Sequence, residues 1–395
     1  MTTSDARVYL DNAATTCVDP RVAEAMAPFL AGASFGNPSS LHPVGVDAAR
    51  AVKAAREALA ASVGVAPERL VFTAGGTEAD NLGVKGMARA RKDRGRHCLS
   101  VRTEHPAVLE SLRELAEVDG FDVELVPNDR RGLVDPAEVA ARVRTDTVLV
   151  AVMHGNNEVG TVQPVERIAA LVKEKNARAA VHVDAVQTFG RLAIDLARTP
   201  AIDAIAVSGH KLHAPKGVGF LAIGPKARPV PLVRGGGQEG GLRSGTENVP
   251  GIVGLARAVE LLRAERADAV ERARRLRDRL RDGILAAVPD AIVNGDAAAG
   301  GGGLAHVLSV SFAGLAGEAL LHHLEAEGID VATGSACAEK KKAPSPVLLA
   351  LGLSEREARG TIRFSFGRFN TEADVDRTLA VLPRLVAELR EVAAA

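Results

Sequence analysis

The chain has 395 residues, 47% hydrophobic and 25% charged, the balance of an ordinary globular protein with a sizeable core. Lys plus Arg (49) equals Asp plus Glu (49), so no net basic field exists to gather nucleic acid. The start, MTTSDARVYLDNAATT, lacks the basic and apolar segments of a secretory signal, and no uncharged run approaches bilayer-spanning length; a cytoplasmic chain without a membrane partner is expected.

In chain order, Val8 to Leu10 reads as a short strand in an arm that precedes a helix over Pro20–Leu30. The loop FGNPSSLH (35–42) then leads to an Ala-rich amphipathic helix from Val44 to Val63. Leu70–Phe72 is a short apolar strand that passes through Gly75-Gly76-Thr77 into a helix, a tight turn whose free N–H groups suit an anion. It is not a GxGxxG or Walker pattern, which disfavours a dinucleotide or nucleoside triphosphate. Strands at 97–101, 123–126, 147–153, 179–183, 204–208 and 217–223 alternate with helices, and their apolar runs indicate a mostly parallel sheet covered on both faces.

After the glycine-rich loop RGGGQEGGLRSGTEN (234–248), a long charged helix over 249–288 crosses a boundary near residue 265. A smaller α/β unit follows, with strands at 305–311 and 361–365 and helices at 317–327 and from 372. The expected division is a large domain over 17–265 and a small domain made of 1–16 and 266–395.

The three cysteines, Cys17, Cys98 and Cys337, form no CxxC pair and no disulfide framework, and no metal centre is expected. Cys17 and Cys98 read as small buried apolar residues.

Several predicted strands end on reactive or binding groups: Gly76 and Thr77, His105, Asn157, Asp184 with Gln187, then Ser208, His210 and Lys211. Singly, each has an ordinary explanation. Lys211 could be a solvated loop residue, His105 a hydrogen-bonded structural histidine, Asp184 a turn residue. Jointly they matter more, because a parallel sheet delivers its carboxyl ends to one rim. Pyridoxal phosphate requires what that rim carries: amides and hydroxyls for phosphate, a lysine for the aldehyde, a carboxylate for the pyridinium nitrogen and a planar neighbour for the ring. Gly76-Thr77, Lys211, Asp184 and His105 supply these in turn.

The motifs YLDNAATT, FGNPSSLH, TAGGTEADN, EHPAV, NNEVGTVQP, HVDAVQTFG, SGHK, GPKGVG, GGGQEGGLRSGTEN, ATGSACA and IRFSFGRFNTEADVD together resemble the cysteine desulfurases of the NifS and IscS type, within the class V aminotransferases. The resemblance runs from Tyr9 to Asp376. It implies a fold-type-I pyridoxal phosphate enzyme that converts L-cysteine to L-alanine. On this resemblance Lys211 carries the cofactor, His105 stacks on the ring and moves protons, Asp184 binds the pyridinium, and Gln187 and Asn157 hold the ring hydroxyl. Gly76, Thr77, Ser208 and His210 bind phosphate, joined by Thr246 from the neighbouring subunit of a homodimer. Arg363 clamps the substrate carboxylate with Asn37 nearby. Cys337 accepts the sulfur as a persulfide and hands it to an acceptor or scaffold protein, for iron–sulfur cluster assembly or thiolation.

The chain departs from the family pattern after GSAC, where Ala338-Glu339-Lys340-Lys341-Lys342 replaces small and hydroxyl residues. The lysines read either as a solvated run or as groups that favour the Cys337 thiolate or an acidic acceptor surface. Two alternatives stay open. Selenocysteine lyase, or another class V enzyme, would use the same lysine and aspartate without requiring Cys337, and a non-catalytic assembly scaffold would require neither.

Overall fold

The computed structural model describes residues 7–299, 302–334 and 343–394. Cys337, Lys340, Lys341 and Lys342 lie outside the described residues.

In chain order the strands are β1 (Val8–Tyr9), β2 (Leu70–Thr73), β3 (His97–Val101), β4 (Asp122–Val126), β5 (Thr147–Met153), β6 (Ala180–Asp184), β7 (Ala204–Ser208) and β8 (Gly219–Ile223). They are followed by β9 (Ile292–Asn294), β10 (Val307–Ser311), β11 (Ile329–Asp330), β12 (Ala332–Thr333) and β13 (Thr361–Ser365). Seven of them form one sheet in the order β2-β8-β7-β6-β5-β3-β4, in which β8 alone runs against its neighbours. The expectation of a mostly parallel sheet is met. β5, β6, β7 and β8 are buried along their whole length, which is why they read as continuous apolar runs without alternation.

Successive residues of these strands enter opposite cores, as the period of two requires. Leu99, Val150, Val152, Val181, Ile205, Val207 and Phe220 face one side, beneath the helices Pro43–Ser62 and Val165–Lys175. Cys98, Leu149, Ala151, Ala180, Ala204, Ala206 and Leu221 face the other, beneath the helix Pro106–Asp119 and the helical run that starts at Gly76. That run contains a π turn, Leu82–Gly86. A Cβ at Gly83 within it would stand 2.4 Å from the His182 ring, so glycine is what lets the helix lie on β6 there.

The helix Val249–Ala287 begins in the first of these cores through Ile252, Leu255 and Val259, and ends in a separate cluster through Leu276, Leu280 and Ile284. This separate cluster is built on the antiparallel sheet β12-β13-β10-β9. Val8 and Leu10 belong to it too, because β1 pairs in parallel with β11. The amino-terminal arm then crosses to the large sheet: Asn12 donates to the Ser365 carbonyl, and Thr16 bonds to the His210 carbonyl through both its N–H and its hydroxyl. Cys98 is buried as expected, and burial pushes its thiol up to about 12. Cys17 corrects the expectation, being exposed. It lies in extended chain between two inward-facing residues, Thr16 and Asp19, and so faces out.

The glycine-rich loop is tied down by ion pairs, among them one between its Arg243 and Glu78 at 2.9 Å and one from its own Glu239. Glu239, its side chain almost fully buried, pairs with Arg56 and accepts from the Phe72 N–H at 2.8 Å. Thr246 is exposed on the same loop.

Phe220, fully buried on β8 with the Phe189 ring edge-on at 5.5 Å, tests the larger core. Phe220→Ala is expected to cost about 3–5 kcal/mol, measured by urea unfolding.

Candidate active site

Five strands of the large sheet, β2, β3, β5, β6 and β7, end at one rim, and the segments leaving them line a cavity of about 260 Å³. Of the residues singled out from the sequence, Gly76, Thr77, His105, Asn157, Asp184, Gln187, Ser208, His210 and Lys211 all line it. Asp80, Met153 and Val186 also line it and were not anticipated individually.

Lys211 follows β7 in a short 3₁₀ turn. Its Nζ donates to the carbonyl of Ala13 at 2.8 Å and to that of Ala14, both on the amino-terminal arm. Burial, helped by the nearby Arg363 charge and opposed by Asp11, lowers the amine to about 8. An amine in that range is a far better nucleophile at neutral pH than an exposed lysine.

Asp184 ends β6 and is buried; Oδ1 accepts from the Val186 N–H at 2.8 Å. Burial raises its carboxyl, while His105, the Val186 N–H and Lys211 pull it back. His105 caps the helix Pro106–Asp119, accepting from the Ala107 N–H at Nδ1, and burial keeps the ring neutral. Two further carboxyls stand close by. Glu104 is buried with Oε2 unpartnered, and Asp80 sits 3.0 Å from His182 Nε2. Burial and the Asp184 charge raise both well above the usual range, so Asp184 is the member of the trio best placed to carry the negative charge.

The turn after β2 is shaped for close approach. Gly75 has φ +151°, a conformation that favours glycine, and a Cβ at Gly76 would stand 2.8 Å from Val186 Cγ2 and 3.3 Å from Ser208 Cβ. His210 presents a neutral ring, lowered to about 4 by burial, with Nδ1 at 3.1 Å from the Thr15 hydroxyl.

Gln187 lines the cavity, yet its amide is already engaged: Nε2 donates to the Ala13 carbonyl at 3.0 Å and Oε1 pairs with His306 Nε2 at 3.1 Å. Arg363 on β13 is buried beside the cavity and not in its lining. Its Nη2 pairs with Asp11 at 2.6 Å, its Nη1 donates to the Asn157 carbonyl at 3.0 Å, and its Nε is buried without a partner. Asn37 stays in its own loop, accepting from the Ser39 N–H, away from the cavity lining. The Asp11 pairing carries no sequence signal, since 352 residues separate the partners.

The fold and this rim define a class of protein, and comparison with known proteins gives the family. The sequence pattern of the class V aminotransferases matches residues 8–378, and the chain belongs to that family. A cysteine desulfurase of Trichormus azollae is 44% identical over 383 residues, 97% of this chain and 94% of its own length. A putative cysteine desulfurase, IscS 1, of Bacillus subtilis (strain 168) is 46% identical over 374 residues, 93% and 96% of the two chains. Among solved structures, a NifS-like protein superposes with a TM-score of 0.89 at 41% identity, covering 97% of this chain and 100% of its own.

Enzymes of this family depend on pyridoxal phosphate, and the residues present fit it. The glycine turn at 75–76 leaves space that a side chain would fill, and a lysine with a lowered proton affinity lines the same cavity as the buried carboxylate of Asp184.

Two outcomes are expected. Gly76→Ala, by crowding the turn by about 1–3 kcal/mol, should weaken pyridoxal phosphate binding about ten-fold, read by titrating the cofactor into apoprotein. The rate of cofactor attachment to apoprotein should rise with pH and level off above about 8, where the lysine is neutral. A plateau reached only above about 10, the range of a free lysine, would contradict the burial of this amine.

Proposed function

We propose that the protein is a pyridoxal phosphate-dependent cysteine desulfurase that moves the sulfur of L-cysteine onto Cys337 and releases L-alanine. One observation carries the reading: a lysine amine lowered to about 8 shares a cavity with the buried carboxylate of Asp184, in a chain 40–46% identical to desulfurases over nearly its full length. Neither a selenocysteine lyase nor a non-catalytic scaffold is favoured by these relatives.

When bound, the cofactor supplies an electron-accepting ring that weakens the bonds at the substrate Cα. The chain does the rest. Lys211 would hold the cofactor through its amine, and that amine, when free, would move the proton at the substrate Cα. Asp184 would keep the ring nitrogen protonated. Neutral His105, close to both Asp184 and Lys211, can take or give a proton on the ring side. Gly76, Thr77, Ser208 and His210 receive the phosphate, with Thr246 of a second copy completing the site. Asn157 and Gln187 flank the ring hydroxyl.

Arg363 binds the substrate carboxylate, exchanging Asp11 or using its unpartnered Nε. Asn37 assists from a neighbouring loop. The Cys337 thiolate attacks the substrate sulfur, the C–S bond breaks, and the carbon gains a proton: L-cysteine and the Cys337 thiol become L-alanine and a Cys337 persulfide.

The working unit we propose is a cytoplasmic homodimer with domains at 17–265 and at 1–16 with 266–395, serving a sulfur-acceptor or scaffold protein. Exposed Leu30, Phe35 and Leu41, in the loop region around FGNPSSLH, support burial against a second copy. Among the described residues, no helix is long and apolar enough to cross a membrane.

The test is incubation of the holoenzyme with L-cysteine, alanine quantification and mass spectrometry of the Cys337 peptide. Added sulfur on Cys337, with alanine formation lost in Cys337→Ser, is the expected result. Alanine formation that survives Cys337→Ser would move the assignment to a lyase.

A further inference from the structure

Gln187 lines the cofactor cavity, but what it shows to that cavity is decided by residues far from it in the chain. Its main-chain carbonyl and that of Lys211 are both held by Arg191, through Nη1 at 3.3 Å and Nη2 at 2.8 Å. The side-chain amide is oriented separately. Its Nε2 and the Lys211 amine donate to one carbonyl, that of Ala13, at 3.0 Å and 2.8 Å. A carbonyl accepts only donors, so the amide nitrogen faces Ala13 on the lysine side, and Oε1 turns to His306 Nε2 at 3.1 Å.

That orientation fixes the state of His306. Facing an amide oxygen, Nε2 must carry the ring proton. The ring is buried, and burial together with the charges of Arg191, Arg363 and Arg277 keeps a second proton off, so Nδ1 is a bare acceptor without a partner. His306 thus has one side-chain N–H to give, and Gln187 receives it.

Both partners of the amide are fixed to the end of β13. Ser365, the last residue of that strand, accepts at Oγ from the Ala13 N–H at 2.8 Å. The next residue, Phe366, donates its N–H to the His306 carbonyl at 2.9 Å, which continues the β10-β13 pairing by one step. Gln187 and His306 are 119 residues apart, so the four-stranded sheet sets the polarity of a side chain that belongs to the larger one.

We propose that His306 is a positioning residue that keeps the Gln187 amide nitrogen toward the cavity, leaving its second N–H free to donate to the cofactor's ring oxygen. His306 itself touches neither cofactor nor substrate. The inference rests on Gln187 flanking that oxygen. A donor at a negative ring oxygen spreads its charge, and the nitrogen of the attached lysine then binds its proton less tightly. Without the His306 N–H nothing pins Oε1, and an amide oxygen turned to the cavity would repel the ring oxygen instead.

Two quantities test this: the pH midpoint of the bound cofactor's visible absorbance, and the affinity of apoprotein for pyridoxal phosphate. His306→Phe keeps a planar ring and removes the donor. It should raise the midpoint by about one pH unit and weaken binding about ten-fold. His306→Asn, whose amide is too short to reach Gln187, should do the same and serves if the Phe variant does not fold. His306→Gln, which carries an N–H near the place of Nε2, should restore both values. Gln187→Leu should raise the midpoint as far as His306→Phe, and the double variant should go no further. A wild-type midpoint in the Phe or Asn variant, beside a shifted Gln187→Leu, overturns the role of His306 and leaves Gln187 at the ring oxygen. An equal shift in His306→Gln also overturns it, by marking a general loss of structure. A wild-type midpoint in Gln187→Leu overturns the placement of Gln187, and the inference with it.

Discussion

The ammonium of Lys211 donating to the carbonyls of Ala13 and Ala14 is the contact on which the geometry of the whole site depends. It places a lysine from the large sheet against an arm whose origin lies in the other core, where β1 pairs with β11 and Ser365 contacts Leu10 and Ala13. Carbonyl oxygens carry only partial charge, so they hold the amine without giving it the full compensation a carboxylate would. The amine is thereby kept partly out of water and short of a formal counter-ion. That is the condition under which a lysine becomes reactive near neutral pH, and it exists only because two distant pieces of chain close over one residue.

The same arm supplies Asp11, which occupies Arg363. Lys211 and Arg363 are thus coupled through a few residues of the YLDNAATT stretch: Arg363 lowers the lysine's proton affinity and Asp11 raises it. The buried carboxyls beneath the cavity follow a similar logic. Asp80, Glu104 and Asp184 cannot all be ionised within one dry region, and burial with mutual repulsion favours the neutral form in the first two. Burial raises Asp184 as well, but the Val186 N–H and the Lys211 charge draw it back, so it carries negative charge more readily than the other two. One negative charge at the cavity is what the nitrogen of a bound pyridinium would require.

Much of this was legible in the chain itself. The buried strands announced themselves as apolar runs at 147–153 and 204–208, with bounds that match the structure. The residues just after them could be nominated as site residues because strand direction in a parallel sheet is set by the connections. The nine cavity-lining residues named from the sequence all sit within a few positions of a strand end, where local signals suffice. Less legible were residues whose partners are far away in sequence. Arg363 looked like a free clamp, while in the folded protein it is committed to Asp11; Gln187 looked available, while its amide is shared between Ala13 and His306. Cys17 gave no sign of facing outward, because two neighbouring buried residues decide that.

The sequence by itself determined which side chains exist at which strand ends, because hydrophobic period and glycine placement are local properties that act over a handful of residues. Only the tertiary structure decided their proton affinities and their partners. Burial, and the approach of Ala13, Asp11 and Asp184 to Lys211 from distant parts of the chain, are through-space effects with no counterpart in local spacing. The identity of the lysine was written at position 211; its reactivity was set by what the fold laid against it.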